Sequence, residues 1–244
     1  MNASPHTLFI SDLHLSHDRP EIAAWFLAFM EEQAPAAKAL YILGDLFEIW
    51  LGDDAMTKPH GVIVEKLRWA SDNGLTIYFM HGNRDFLIGD GFAKASGCKI
   101  LPDPCVIDLY KTPTLLTHGD LLCTDDVDYQ RFRAQVRNPD MQRQFLSLPI
   151  EERIKVGQQY RIASMEASKG KSEQIMDVNQ SAVEAMLRKH GVRQMIHGHT
   201  HRPGFHDFDL DGNSVRRIVL GDWYEQGSQL YCDTGGCKLV ALPK

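Results

Sequence analysis

The chain lacks the features that mark several protein classes. No apolar run in its 244 residues approaches the roughly 18 needed to cross a membrane. The first fifteen residues carry no basic cluster and only the short apolar stretch Leu8-Phe9-Ile10, so no secretory leader is expected. Five cysteines occur without a CxxC spacing, which argues against a thiolate metal site and for reduced thiols in the cytoplasm. Within that set, Cys232 and Cys237 flank Asp-Thr-Gly-Gly and are expected to face each other across a hairpin as a structural pair. Internal repeats and low-complexity segments are absent, which excludes solenoids and disordered arrays. Positive charge is also scarce: 26 Lys and Arg against 32 Asp and Glu leave a net charge of −6, a poor match for long nucleic acid. What remains is 43% hydrophobic and 24% charged, the composition of a soluble globular domain with a sizeable core.

Against that ordinary background stand five short polar motifs, each placed after an apolar run. They are Asp12-Leu13-His14, Gly44-Asp45, Gly82-Asn83-Arg84-Asp85, His118-Gly119-Asp120 and Gly198-His199-Thr200-His201. The runs before them, such as Leu40-Tyr41-Ile42-Leu43 and Ile77-Tyr78-Phe79-Met80, read as buried strands. In α/β sheets ligands collect at the carboxyl ends of strands, so the five motifs are expected to converge. Asp12 and His14 are two residues apart, as are His199 and His201, so on a strand each pair would share a face. Asp45 has two carboxylate oxygens and could bridge two cations. Asn83 offers a carbonyl oxygen and His118 an imidazole nitrogen, which completes a mixed oxygen and nitrogen set without sulfur. Such a set suits manganese, iron, cobalt or zinc, with manganese favoured by the carboxylates. Any one of these residues alone is more often a cap, a turn or a surface group; their order along the chain carries the inference. His197, beside Gly198, is read as structural or as a support for the ligands.

The first 120 residues alternate strand and helix signals. Pro20 opens a helix with an apolar stripe of Ile22, Phe26, Phe29 and Met30, and a second helix spans about Val62 to Asp72 and stops near Gly74. Asp177 is expected to start a later helix that Gly191 ends, and beyond Pro203 short strands with Asp211-Gly212 and Gly235-Gly236 turns suggest a second sheet. Between the fourth and fifth motifs, residues 127–175 form a helical insertion with nine Lys or Arg and six Asp or Glu, a net charge of +3 on an acidic body. An anionic partner near the site or an ordinary solvated helical surface would each account for that charge.

These motifs resemble the calcineurin-like metallophosphoesterase superfamily over nearly the whole chain. The longer strings Tyr41-Ile42-Leu43-Gly44-Asp45-Leu46-Phe47-Glu48, Cys123-Thr124-Asp125-Asp126 and Met176-Asp177-Val178-Asn179-Gln180 are similar to the branch that cleaves UDP-2,3-diacylglucosamine in lipid A biosynthesis. The resemblance implies an α/β fold, a four-layer αββα metallophosphoesterase sandwich, as a single domain with an inserted helical cap over 127–175. It implies two Mn2+ ions, one on Asp12, His14, Asp45 and His201 and one on Asp45, Asn83, His118 and His199. Substrate contacts carry over to Asn83, Arg84, Asp126, Ser164, Lys171 and His199, and to Ser168, where relatives often have Asn. It also implies a cytoplasmic enzyme in peripheral contact with the anionic face of the inner membrane.

Arg84 stands where many relatives carry His. An Arg cannot serve as an acid but can hold phosphate oxygens, and a phosphate leaving group, with a second pKa of about 6, needs no proton donor. Asp45, Asn83 and Arg84 are therefore the candidate catalytic group for pyrophosphate hydrolysis. Arg84 paired structurally to Asp85 or Asp45 is the alternative. A phosphoesterase with another substrate and an inactive scaffold of the same fold are the competing functions.

Overall fold

A computed structural model describes residues 5–169 and 175–242. β1 (Thr7–Ile10), β2 (Ala39–Leu43) and β3 (Thr76–Met80) are parallel neighbours, separated in sequence by α1 (Pro20–Glu32) and α2 (Lys58–Asp72). α3 (Asp90–Ser96) leads to β4 (Lys99–Leu101), and the hairpin of β5 (Cys105–Leu109) and β6 (Thr112–Leu116) begins a second sheet. After the insertion come α7 (Gln180–His190), β7 (Gln194–His197), β8 (Gly204–Leu210), β9 (Asn213–Val219), β10 (Ser228–Asp233) and β11 (Gly236–Ala241). The sheets run β11-β10-β1-β2-β3-β4 and β5-β6-β7-β9-β8.

Three apolar clusters separate four layers. Ile22, Phe26 and Met30 of α1 and Ile63 and Leu67 of α2 pack on Leu8, Ile10, Leu40 and Ile77 of the first sheet. Phe9, Leu43 and Met80 face Leu116, Ile196 and Ile218 of the second sheet. Val183 and Leu187 of α7 cover Leu115 and Met195 on its far side. Strands buried on both faces need nearly continuous apolar sequence, which is why these runs stood out.

Four expectations need correction. α2 begins at Lys58, earlier than Val62, because Pro59 fits the first turn, where its missing N–H is not needed. The cap of α7 is Asn179, whose side chain accepts from the Ala182 N–H at 3.1 Å, while Asp177 instead pairs with Arg202 at 2.9 Å. Of the strands after Pro203, only β8 and β9 join the second sheet; β10 returns antiparallel to β1 and places Leu230 and Cys232 in the core between the sheets. Finally, the reduced state expected for the thiols does not hold throughout: Cys232 and Cys237 face each other across β10 and β11 as the expected structural pair and form a disulfide, while Cys98, Cys105 and Cys123 are free.

The insertion contributes α4 (Val127–Val136), α5 (Pro139–Leu146) and α6 (Ile150–Ser168). Asp126 caps α4 by accepting from the Tyr129 N–H at 3.1 Å, and Asn138 caps α5 ahead of Pro139. Arg153 of α6 anchors it to the loop after β2: Nη1 donates to the Leu51 carbonyl at 2.6 Å and to Asp54 at 2.8 Å.

Candidate active site

All five motifs leave strands of the two sheets, three from β1, β2 and β3 and two from β6 and β7, and their side chains meet where the sheets abut. The same-face argument for the paired residues does not describe the geometry. β1 ends at Ile10 and β7 at His197, so Asp12, His14, His199 and His201 lie in loops. The loops instead turn through the left-handed region: Asp12, His14, Asp45, His199 and His201 have φ of 56°, 51°, 53°, 67° and 55°. This left-handed region costs non-glycine residues free energy and concentrates at functional sites.

The donors are already aimed. His14 Nδ1 donates to Glu48 at 2.8 Å, leaving Nε2 3.6 Å from Asp45 Oδ2. His118 Nδ1 donates to the Leu43 carbonyl at 2.8 Å, leaving Nε2 2.9 Å from Asn83 Oδ1 and 3.8 Å from the same Asp45 Oδ2. Asp12 Oδ2 is occupied by the Ser11 hydroxyl and the His199 N–H, so Oδ1 faces His201 Nε2 at 3.4 Å. His201 Nδ1 lies 3.3 Å from Asp222. Asp12, His14 and His201 form one group able to hold a metal, and Asp12, Asp45 and His118 form another. Carboxylate or carbonyl partners on the far ring nitrogen are the usual orienting groups of metal-binding histidines.

A divalent cation fits this arrangement. Asp12 Oδ1 and His14 Nε2 are buried with no hydrogen-bond partner, an expensive state unless something charged satisfies them. The lone pairs of a neutral His118 and of Asn83 would oppose each other at 2.9 Å. Without a cation, burial would lower His118, but Asp45, Asp12 and Asp120 push it up to about 9. His14 is likewise raised despite its burial, by Glu48 and Asp45. The carboxylates thus demand positive charge that metal ions can supply in place of these protons. His199 goes the other way: burial and His118 push it down to about 4, leaving a neutral imidazole suited to ligation.

Glycines and two further carboxylates hold the loops at this spacing. Gly44 has φ of 90°, and a Cβ there would come within 2.5 Å of His118 Nδ1 and 2.6 Å of Gly82. A Cβ on Gly82 would collide with Asp45, and one on Gly198 with Asp12 and Ser11. Asp85 accepts from the N–H groups of Gly82 and Leu46, each at 2.8 Å, and more distantly from Asp45 and Phe47. Asp120 accepts from Arg133 at 2.7 Å and from the Tyr129 hydroxyl at 2.9 Å, joining the His118 loop to α4. His197 is fully buried, with Nδ1 to the Gly198 carbonyl at 2.8 Å and Nε2 3.1 Å from Arg217, and both keep it away from the donors.

The cluster opens on a groove of about 440 Å³ between the catalytic loops and the insertion. Trp50, Leu51, Phe86 and Leu87 form one wall, Phe132, Val136, Phe145 and Tyr160 the other, with Asn83, Arg84 and Asp126 at the end nearest the metal donors. Arg84 contacts Asp45 through its backbone N–H, at 2.8 Å; among the described residues its guanidinium makes no ion pair, and its Nε is buried without a partner. The Arg84 side chain therefore does not pair with Asp85 or Asp45, and its charge lies near Glu48, whose carboxyl it helps to lower. The side chains of Ser164 and Ser168 and the whole of Lys171 lie outside the described residues. Sequence reasoning gave no role to Glu48, Asp222 or Tyr129, whose ring stacks on His199 with centroids 5.9 Å apart. Glu48 lay inside a recognised string, whereas Asp222 carried no sequence signal.

Comparison with known proteins agrees with this geometry. The family model for calcineurin-like phosphoesterases matches residues 5–203. A UDP-2,3-diacylglucosamine hydrolase of Stenotrophomonas maltophilia (strain K279a) is 53% identical over 98% of this chain and 99% of its own length. One from Aeromonas salmonicida (strain A449) is 52% identical over 96% of this chain and 92% of its own. With the family model spanning most of its length and relatives this similar covering more than nine-tenths of it, the chain belongs to the calcineurin-like phosphoesterase family.

Proposed function

We propose that the chain is a metal-dependent pyrophosphatase that hydrolyses UDP-2,3-diacylglucosamine to UMP and 2,3-diacylglucosamine 1-phosphate in lipid A biosynthesis. The observation that carries this reading is the join between two environments. A charged, buried donor cluster opens directly into an apolar groove, as a substrate with a diphosphate and two acyl chains requires. Relatives of about half identity carry that substrate in their names. The filled donor set argues against an inactive scaffold.

Asp12, His14, Asp45 and His201 would hold one ion and Asp45, Asn83, His118 and His199 the other, with manganese favoured by the carboxylates. When bound, two such ions supply Lewis acidity and acidify water for in-line displacement at phosphorus. The chain's own groups do the rest. Asp45, whose Oδ2 faces both His14 and His118, would be shared between the two ions. Glu48 and Asp222 fix the rings of His14 and His201. Arg84 presents a guanidinium that grips phosphate oxygens through charge-assisted bonds and gives up no proton. Attack falls on the phosphate nearest uridine, and the sugar phosphate leaves without a general acid. By resemblance, Asp126, Ser164, Ser168 and Lys171 would contact the substrate.

Within this reading the molecule is one domain with residues 127–175 as its cap. The cap exposes Leu146, Ile150, Ile154 and Ile162 among its basic residues. No helix of the described residues is long and apolar enough to cross a membrane; contact with an anionic membrane surface would be peripheral, at the cytoplasmic face of the inner membrane. The deciding assay measures UMP release from UDP-2,3-diacylglucosamine beside UDP-glucose and an aryl phosphodiester, with manganese present. Strong preference for the acylated substrate supports the proposal, and equal rates on all three would overturn it.

A further inference from the structure

The apolar groove accounts for one half of a two-part substrate. It reaches the donor cluster at the Asn83 and Arg84 end. A diphosphate cleaved over that cluster must send its other substituent elsewhere. A second cavity, of about 560 Å³, borders the cluster at its His201 end and shares no lining residue with the groove. Tyr224 stands at the junction, its ring centroid 5.4 Å from that of His14 and 5.3 Å from that of His201. The two cavities therefore flank one cluster, in the arrangement a substrate with two arms would need.

The second cavity differs in chemistry from the groove. Asp222, Glu225, Gln226 and Ser228 supply carboxylates, an amide and a hydroxyl. Carboxylates repel further phosphate but accept from hydroxyls, so the walls suit a neutral group rich in donors, such as a ribose diol. Gln226 is exposed at the loop between β9 and β10, and its amide carries a donor and an acceptor side by side. A pyrimidine edge presents the complementary pair. β11, which supplies Leu239 and Val240, is the terminal strand of its sheet, so its outer backbone groups are available as well.

Resting on the pyrophosphatase reading, we propose that this second cavity is the nucleoside subsite, with Gln226 reading the base edge and Glu225 accepting from the ribose. Both residues are exposed loop side chains, so their replacement leaves the core intact. The test uses the manganese-loaded full chain with UMP and 2,3-diacylglucosamine 1-phosphate as separate probes. Calorimetry should show UMP affinity falling about fivefold in each of Gln226→Ala and Glu225→Ala, the loss of one hydrogen bond. Affinity for the lipid product should stay within about twofold, a separation set by the same scale. Phe145→Ala, in the groove, should show the reverse pattern. Unchanged UMP affinity in both loop variants, or no UMP binding by the unaltered chain, overturns the subsite. Absence of UMP release from the acylated substrate would instead sink the underlying reading, and the calorimetry still decides the cavity by itself.

Discussion

Replacing Arg133 with Met tests whether α4 is locked to the loop that carries His118 and Asp120. Asp120 has 0% exposure and Arg133 14%, with Nε and Oδ2 2.7 Å apart. A second carboxylate, Asp103, lies 3.7 Å from the same guanidinium and is itself only 6% exposed. Removing the cation leaves two buried acids facing one another, and breaking a buried pair from one side costs about 3–5 kcal/mol. At about 2–4 °C per kcal/mol for a chain of this size, Tm should fall by roughly 6–20 °C in calorimetry at neutral pH. Metal retention should suffer too, because Asp103 also accepts from the Thr117 hydroxyl at 2.7 Å and the His118 N–H at 3.3 Å. The double variant Arg133→Met with Asp120→Asn should lose less than the two single losses added, since the second change removes the charge that the first stranded. A Tm shift below about 2 °C for Arg133→Met would refute this account of the contact, since it corresponds to less than about 1 kcal/mol.

Four further outcomes are expected. Asp45→Ala should abolish hydrolysis and lower bound metal at both positions, while His201→Ala should chiefly empty one; elemental analysis after dialysis reads this, and full activity of the Asp45 variant contradicts the bridging role. Arg84→Ala should cost about 1.5–3 kcal/mol in transition-state stabilisation, and Arg84→Lys less, as seen in kcat/KM; an unchanged value for the Ala variant removes Arg84 from phosphate binding. Burial lowers His60, which packs between Phe47 and Trp50, so the unfolded chain binds the extra proton and stability falls as pH drops below about 6.5. His60→Phe should flatten that part of the Tm profile, and an identical profile would exclude His60 as its source. Vesicles rich in phosphatidylglycerol should retain the chain at low salt and release it at high salt, whereas neutral vesicles should not retain it; binding independent of lipid charge would argue against the basic cap.

The parts of the fold read correctly from sequence are those where one period decides the structure. The stripe of Ile22, Phe26, Phe29 and Met30 is buried along α1, and the five apolar runs are the strands that end at the motifs. Errors arose where partners distant in sequence decide. β10 reads like β8 and β9, yet its place beside β1 depends on burying Leu230 and Cys232 between the sheets, which alternation alone does not disclose. Asp177 and Asn179 are both good helix caps by residue type, and the ion pair to Arg202 assigns Asp177 elsewhere.

The site shows the same division at finer scale. Sequence spacing put Asp12 and His14 together on the assumption of an extended strand, and they do meet, but through left-handed turns that no pairing rule anticipates. Such turns are tolerated because neighbouring backbone groups fix them. The Asp12 N–H donates to the Gly44 carbonyl at 3.1 Å and the His14 N–H to the Asp45 carbonyl at 2.9 Å, so the first two motif loops brace each other. Asp85 then ties the second loop to the third through Leu46 and Gly82. Gly44 and Gly82 must lack side chains for this contact to close. The strain at each of the five left-handed residues, of order 1–3 kcal/mol for such conformations, is therefore sustained by a bonded set of loops and cannot be relieved at one residue alone. A loop that loses its brace should relax away from the left-handed region and carry its donor out of the cluster. The carboxylates that brace the loops are in this sense as necessary to the proposed centre as those whose oxygens face into it.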